Sequence, residues 1–103
     1  MELTVPERLI LDDLLAEAEG DLVLLRSVRT LRAKIGFSAD EVKRMEMKSI
    51  GPQIEWNEKE AKVEEIEILP PESEIIVSLF ERKSAMKKLR QIHLDLYERF
   101  VKS

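Results

Sequence analysis

Apolar residues recur at helical spacing through most of this chain. Leu9, Ile10, Leu14, Leu15 and Ala18 form a first stripe, as one buried face of an α-helix requires. Pro6 fits the first helical turn, where its missing N–H costs nothing, and Thr4 stands where a cap belongs. Gly20 ends the run and Asp21 can cap a second helix. The stripe of that helix is Leu22, Leu25, Val28, Leu31, Arg32 and Ile35, and Gly36 marks its end. The short turn at Gly20 predicts an antiparallel helical hairpin over 5–35. Ser38 followed by Glu41 is a capping box, with Phe37 placed to staple onto Val42. A short third helix over 39–45 is expected there.

Helical spacing is lost at "MEMKSIGPQ", where Gly51-Pro52 signals a turn. Ile54 and Trp56 then alternate with Gln53 and Glu55, and Ile66 and Ile68 with Glu65 and Glu67. A period of two predicts strands. The expectation is a two- or three-stranded antiparallel β ribbon at about 45–69. Ile54, Trp56, Ile66 and Ile68 should point inward, and Glu55, Glu65 and Glu67 outward. A lone hairpin is marginal in water, so the apolar face should rest on the helices. A competing reading of the loop lets Asn57 cap one helical turn over 58–63. Beyond Pro70-Pro71, Ile75, Ile76, Leu79 and Phe80 make a further stripe. The polar run "ERKSAMKKL" interrupts it before Leu89, Ile92, Leu96, Tyr97 and Phe100 resume it. Two C-terminal helices, 71–84 and 89–101, are therefore predicted. The fold class is α+β and mostly helical, with four to five short helices in a single domain, 1–103.

Composition narrows the class. A chain of 103 residues, 44% of them hydrophobic, can bury one core and has little room for a second. No apolar run approaches the roughly 20 residues of a membrane span. The first ten residues carry acids and no basic n-region, so a signal peptide is not expected and a cytoplasmic location is. The absence of cysteine excludes disulfides, thiolate zinc sites and cysteine nucleophiles. Gln53, Asn57 and Gln91 are the only side-chain amides amid abundant Glu, Lys and Arg. That pattern fits a thermophilic source.

The net charge of −4 is unevenly spread. Residues 1–20 hold six acids against Arg8, and 51–74 hold eight against Lys59 and Lys62. Residues 21–50 hold seven bases against four acids, and 75–103 seven against three. Neighbouring blocks of opposite sign can pair within one fold or across a homodimer.

Candidate chemistry is sparse. His93 is the only histidine and has no HExxH-type companion. There is no P-loop, no GxGxxG and no GxSxG, and no carboxylate pair stands out among the 21 acids. No catalytic, cofactor-binding or metal-binding residue is assigned, and a non-enzyme without a cofactor is expected. Trp56 reads either as the anchor of the ribbon or as an interface aromatic. Three helices followed by a hairpin also outline a winged helix, with the third helix in the major groove and 57–62 as the wing. Asp40, Glu41, Glu46, Glu58 and Glu60 argue against it, because DNA contact needs a net basic footprint. Arg26, Arg29 and Arg32 on the second helix make a better basic patch. Conversely, Glu65 and Glu67 with their acidic neighbours could imitate phosphates for a basic partner.

"LRAKIGFSADEVKRMEMK", "QIEWN" and "LYERFVK" resemble small proteins of unknown function encoded in bacteriophage and prophage genomes. The resemblance covers most of the chain and carries no functional residues. It implies an accessory or interaction protein rather than a metabolic enzyme. The leading expectation is a non-enzymatic protein-interaction domain, phage-derived, acting on a protein partner and expected to form a homodimer. A winged-helix-like DNA-binding regulator and an acidic inhibitor of a nucleic-acid-binding host protein are the alternatives. The candidate contact residues are Glu65, Glu67, Trp56, Arg26, Arg29 and Arg32.

Overall fold

A computed structural model describes residues 1–102 of the chain. Its helices are α1 (Val5–Ala16), α2 (Leu22–Ile35), α3 (Ala39–Arg44), α4 (Pro70–Ala85) and α5 (Gln91–Lys102). Its strands are β1 (Glu2–Leu3), β2 (Lys48–Ile50), β3 (Gln53–Glu55) and β4 (Glu64–Glu65), with a 3-10 turn at Glu58–Glu60. The protein is thus α+β and mostly helical. The C-terminal stripe is indeed two helices. Met86 closes α4, and Lys87, in the left-handed region at φ 58°, turns the chain toward α5.

α1 packs on both α2 and α4, and α4 also packs on α5. Leu11, Leu14 and Leu15 of α1 meet Val28, Leu31 and Ile35 of α2, Ile76, Leu79 and Phe80 of α4, and Leu96 and Phe100 of α5. Burying each such side chain stabilises the fold by about 1.5–3 kcal/mol. Two stripes are rotated from the expected ones. On α1, Arg8 and Leu11 are buried, while Leu9 and Ile10 are only half-buried. On α2, Leu22 and Leu25 are 70% and 40% exposed, because Leu24, Val28, Leu31 and Ile35 already fill the contact face. Ile92 of α5 also faces out.

The expected ribbon over 45–69 is divided between two sheets. β2 pairs antiparallel with β3, Lys48 opposite Glu55 and Ile50 opposite Gln53. β4 pairs instead with β1 at the start of the chain, Leu3 opposite Glu64. The division has a local cause. The Asn57 side chain accepts from the Lys59 N–H and caps the 3-10 turn, which carries the chain away from β3. The buried Leu3 and Ile66 then bring β1 and β4 into the core. Ile66 and Ile68 face inward and Glu65 and Glu67 outward, as alternation predicts. Ile54 does not: it is 42% exposed.

One capping device recurs. In α1, α3 and α4 the third helical residue is a glutamate whose carboxylate accepts the N–H of the residue before the helix. The pairs are Glu7 with Thr4, Glu41 with Ser38 and Glu72 with Leu69. A cation from another element grips each of these carboxylates: Arg99 for Glu7, Arg8 for Glu41 and Lys34 for Glu72. His93 takes the same place in α5, its Nδ1 accepting the Arg90 N–H at 3.0 Å. Each cap thereby fixes a helix start and ties it to a neighbour.

These caps set the pH dependence. The Arg8 guanidinium, against the opposing effect of burial, holds the Glu41 carboxyl down to about 2. Burial pushes Glu7 and Glu72 up, but their hydrogen bonds and cations outweigh it and hold both below the ordinary value. Burial, with Lys83 and Arg90, lowers the His93 imidazole below 6.5. All four groups are depressed in the folded state. Their contribution is therefore complete above the unfolded values and is lost as pH falls through the folded ones. Stability should begin to fall below the ordinary histidine value of 6.5, where the unfolded chain takes up a proton that folded His93 resists, and this loss is complete once His93 itself protonates and its Nδ1 ceases to accept. It should fall further between 4.5 and about 2 as Glu41 protonates. Urea unfolding across this range checks the sequence of losses. In His93→Gln the loss that begins below pH 6.5 should vanish while the acid limb persists.

Candidate functional site

The hairpin of β2 and β3 stands apart from the core. All six of its strand residues are exposed. Gly51 at φ 60° opens its two-residue turn. Pro52 holds the next φ near −65°, which excludes a type I′ turn and leaves II′. The Asn57 N–H donates to the Met45 carbonyl at 2.7 Å and closes the base. Side-chain alternation places Met47, Ser49, Ile54 and Trp56 on one face, and Lys48, Ile50, Gln53 and Glu55 on the other. Met47 and Trp56 at the base are half-buried. Toward the tip the apolar side chains meet solvent, with Ile50 at 52% and Ile54 at 42% exposure. Val42 on α3 and Val63 beyond the 3-10 turn are exposed as well.

Trp56 serves as the base anchor. Its indole Nε1 is buried and, among the described residues, is the sole buried side-chain nitrogen or oxygen without a hydrogen-bond partner. The other expected contact residues are dispersed over the surface. Glu65 is exposed and accepts from the Met1 ammonium at 2.6 Å. Glu67 is exposed, and its carbonyl accepts from Lys34. Arg26 and Arg29 lie exposed on α2 with no ion pair among the described residues. Arg32 is engaged: its Nε donates to Asp12 at 3.0 Å, and the carboxylate raises the guanidinium pKa further.

Most inter-element pairs join blocks of opposite charge. Arg32–Asp12, Lys34–Glu72, Lys83–Glu17 and Arg99–Glu7 each join a cation of a basic block to an anion of an acidic one. The alternation seen in the sequence is thus largely spent inside the fold. The exception is the end of β3 and the segment that follows it. Glu55, Glu58, Glu60, Glu64 and Glu67 have no ion pair among the described residues, and only Lys59 and Lys62 lie among them in sequence. Acidic side chains and exposed aliphatics thus share residues 48–67.

Clefts are shallow. One open cleft of about 880 Å³ is lined by Ile68, Pro70, Ser73, Glu74 and Phe100 together with Arg99. The Arg99 guanidinium is held by Glu7 and by the Glu2 carbonyl. His93 is engaged as a cap and stands edge-on to Phe80 at 6.3 Å. Among the described residues no three His, Asp or Glu side chains gather as metal ligands. No helix among them is long and apolar enough to cross a membrane. No family model matches the chain, and neither a curated protein nor a solved structure matches it.

Sequence reasoning missed two features of this surface. Exposure of Ile50 and Ile54 depends on whether anything covers the hairpin, which alternation does not encode. The exposed start of α2 was also missed, although Leu22, Val23, Leu24 and Leu25 in succession supply more apolar residues than one helix face can bury.

Proposed function

We propose that this protein is a non-enzymatic interaction module, an accessory protein of phage origin, whose docking surface is the β2–β3 hairpin and the acidic segment that follows it. One observation carries the reading: unpaired Glu55, Glu58 and Glu60 lie beside exposed Ile54 and Val63, all outside the core cluster. Aliphatic anchors ringed by charge are the makeup of a protein-binding patch. Carboxylates in that ring favour a basic partner and disfavour nucleic acid.

The order α1–α2–α3–hairpin, with the hairpin exposed, supports a second reading as a winged-helix DNA binder. The charge of the 53–67 segment opposes it. A photo-crosslinking residue at position 63, with one at the exposed Asp13 as control, separates the two. In cells carrying the natural neighbours of the protein, position 63 should give discrete protein adducts that position 13 does not. Adducts to nucleic acid alone would install the winged-helix reading. Identical patterns from both positions would end the proposal.

A further inference from the structure

We infer that the 53–67 segment docks on the α1–α2 face of a second copy of this chain, in a head-to-tail arrangement. The inference rests on reading that segment as a docking surface and names its occupant. A second unpartnered patch of opposite sign motivates it. At the start of α2, Leu22 and Val23 are 70% and 71% exposed, above every other exposed large hydrophobic. The same outward side of α2 carries Arg26 and Arg29. Beside them an open groove of about 470 Å³ runs between α1 and α2, lined by Ala16, Ala18, Leu25 and Ala33 together with Arg29 and with Asp12, whose charge Arg32 already holds.

The two patches are complementary in kind. One presents Ile54 and Val63 among carboxylates; the other presents exposed Leu22 and Val23 and a groove of mixed polarity beside the Arg26 and Arg29 guanidiniums. Within one chain they do not satisfy each other, since no ion pair among the described residues joins Arg26 or Arg29 to the 53–67 glutamates. They can therefore meet only between copies. Pairing two different patches makes a heterologous interface, which builds rings or open chains rather than a closed two-fold dimer.

Sedimentation at about 0.1 M and about 1 M salt, where the screening length shortens from about 10 Å to about 3 Å, gives the first test. The wild-type chain should exceed the monomer mass at low salt and return toward it at high salt. Two double variants follow: Arg26→Glu with Arg29→Glu, and Glu58→Lys with Glu60→Lys. All four positions are exposed, so each variant should melt like wild type. Each alone should self-associate at least about tenfold more weakly. Mixed in equal amounts, the reversed charges face each other and the residual intact patches still match, so association should return. A wild-type monomer at both salts overturns the inference. So does association that neither variant weakens, or that mixing fails to restore. If the wild type is monomeric while the position-63 crosslink still captures a different protein, the docking surface stands and only the second copy is wrong. If both experiments are blank, the surface itself is wrong.

Discussion

Replacing Arg8 by alanine is expected to lower the unfolding free energy by about 3–5 kcal/mol, the cost of breaking a buried charge pair from one side. That is a large share of the roughly 5–15 kcal/mol available to a domain of this size. The side chain is almost wholly buried and each of its three nitrogens donates. Its Nε donates to the Ile35 carbonyl at 2.9 Å and its Nη2 to the Gly36 carbonyl at 2.7 Å. Both Nη groups also reach the Glu41 carboxylate, at 2.6 and 3.2 Å. The Phe37 ring lies 4.0 Å from the guanidinium carbon. Arg8 therefore binds the end of α2, the link to α3 and the α3 cap to α1. Alanine would leave a carboxylate and two carbonyls without their donor. Lysine should rescue little, because a single ammonium cannot match this fork. Urea unfolding of Arg8→Ala and Arg8→Lys checks both points, with Arg29→Ala as an exposed control within about 0.5 kcal/mol of wild type.

The second large loss should come at Phe80. It is fully buried on α4, with the Tyr97 ring edge-on at 6.0 Å and His93 at 6.3 Å. Phe80→Ala removes the ring from the α4–α5 contact and leaves a cavity, for about 3–5 kcal/mol. Phe80→Leu retains most of the volume and should cost less. Because Phe80 also supports His93, the alanine variant should loosen the start of α5 beyond the global effect. Amide exchange at residues 90–94 should show this as a selective gain in rate.

Much of the framework was legible because it rests on local rules. Asp21 does cap α2, accepting from the Leu24 N–H, and the Ser38–Glu41 box opens α3 as its spacing implies. Glu72 and His93 take the same third position without a Ser, Thr, Asp or Asn at Leu69 or Arg90 to signal it. Arg8 was not legible. In sequence it is one charge on an amphipathic helix, and only the end of α2 and the α3 cap, 27 and 33 residues away, give it partners. The staple expected of Phe37 was likewise redirected, its ring lying under Arg8 instead. Alternation in 53–68 told which residues share a face. It placed Ile66 correctly because β1 and the helices cover it, and misplaced Ile54 because nothing comparable covers the hairpin. The contact candidates fared unevenly for a related reason. Arg32 has its complement nearby in Asp12, whereas Arg26 and Arg29 do not, and sequence gives no means of telling them apart.

The central claim is that Ile50, Ile54 and Val63, on the hairpin and just after it, face outward for docking and lend the core little. The most direct measurement is a paired one on Ile54→Lys carrying the crosslinking residue at position 63. Its unfolding free energy should stay within about 0.5 kcal/mol of the parent with the same crosslinker, while its protein adducts disappear. A loss of several kcal/mol, or adducts that persist unchanged, would contradict the account.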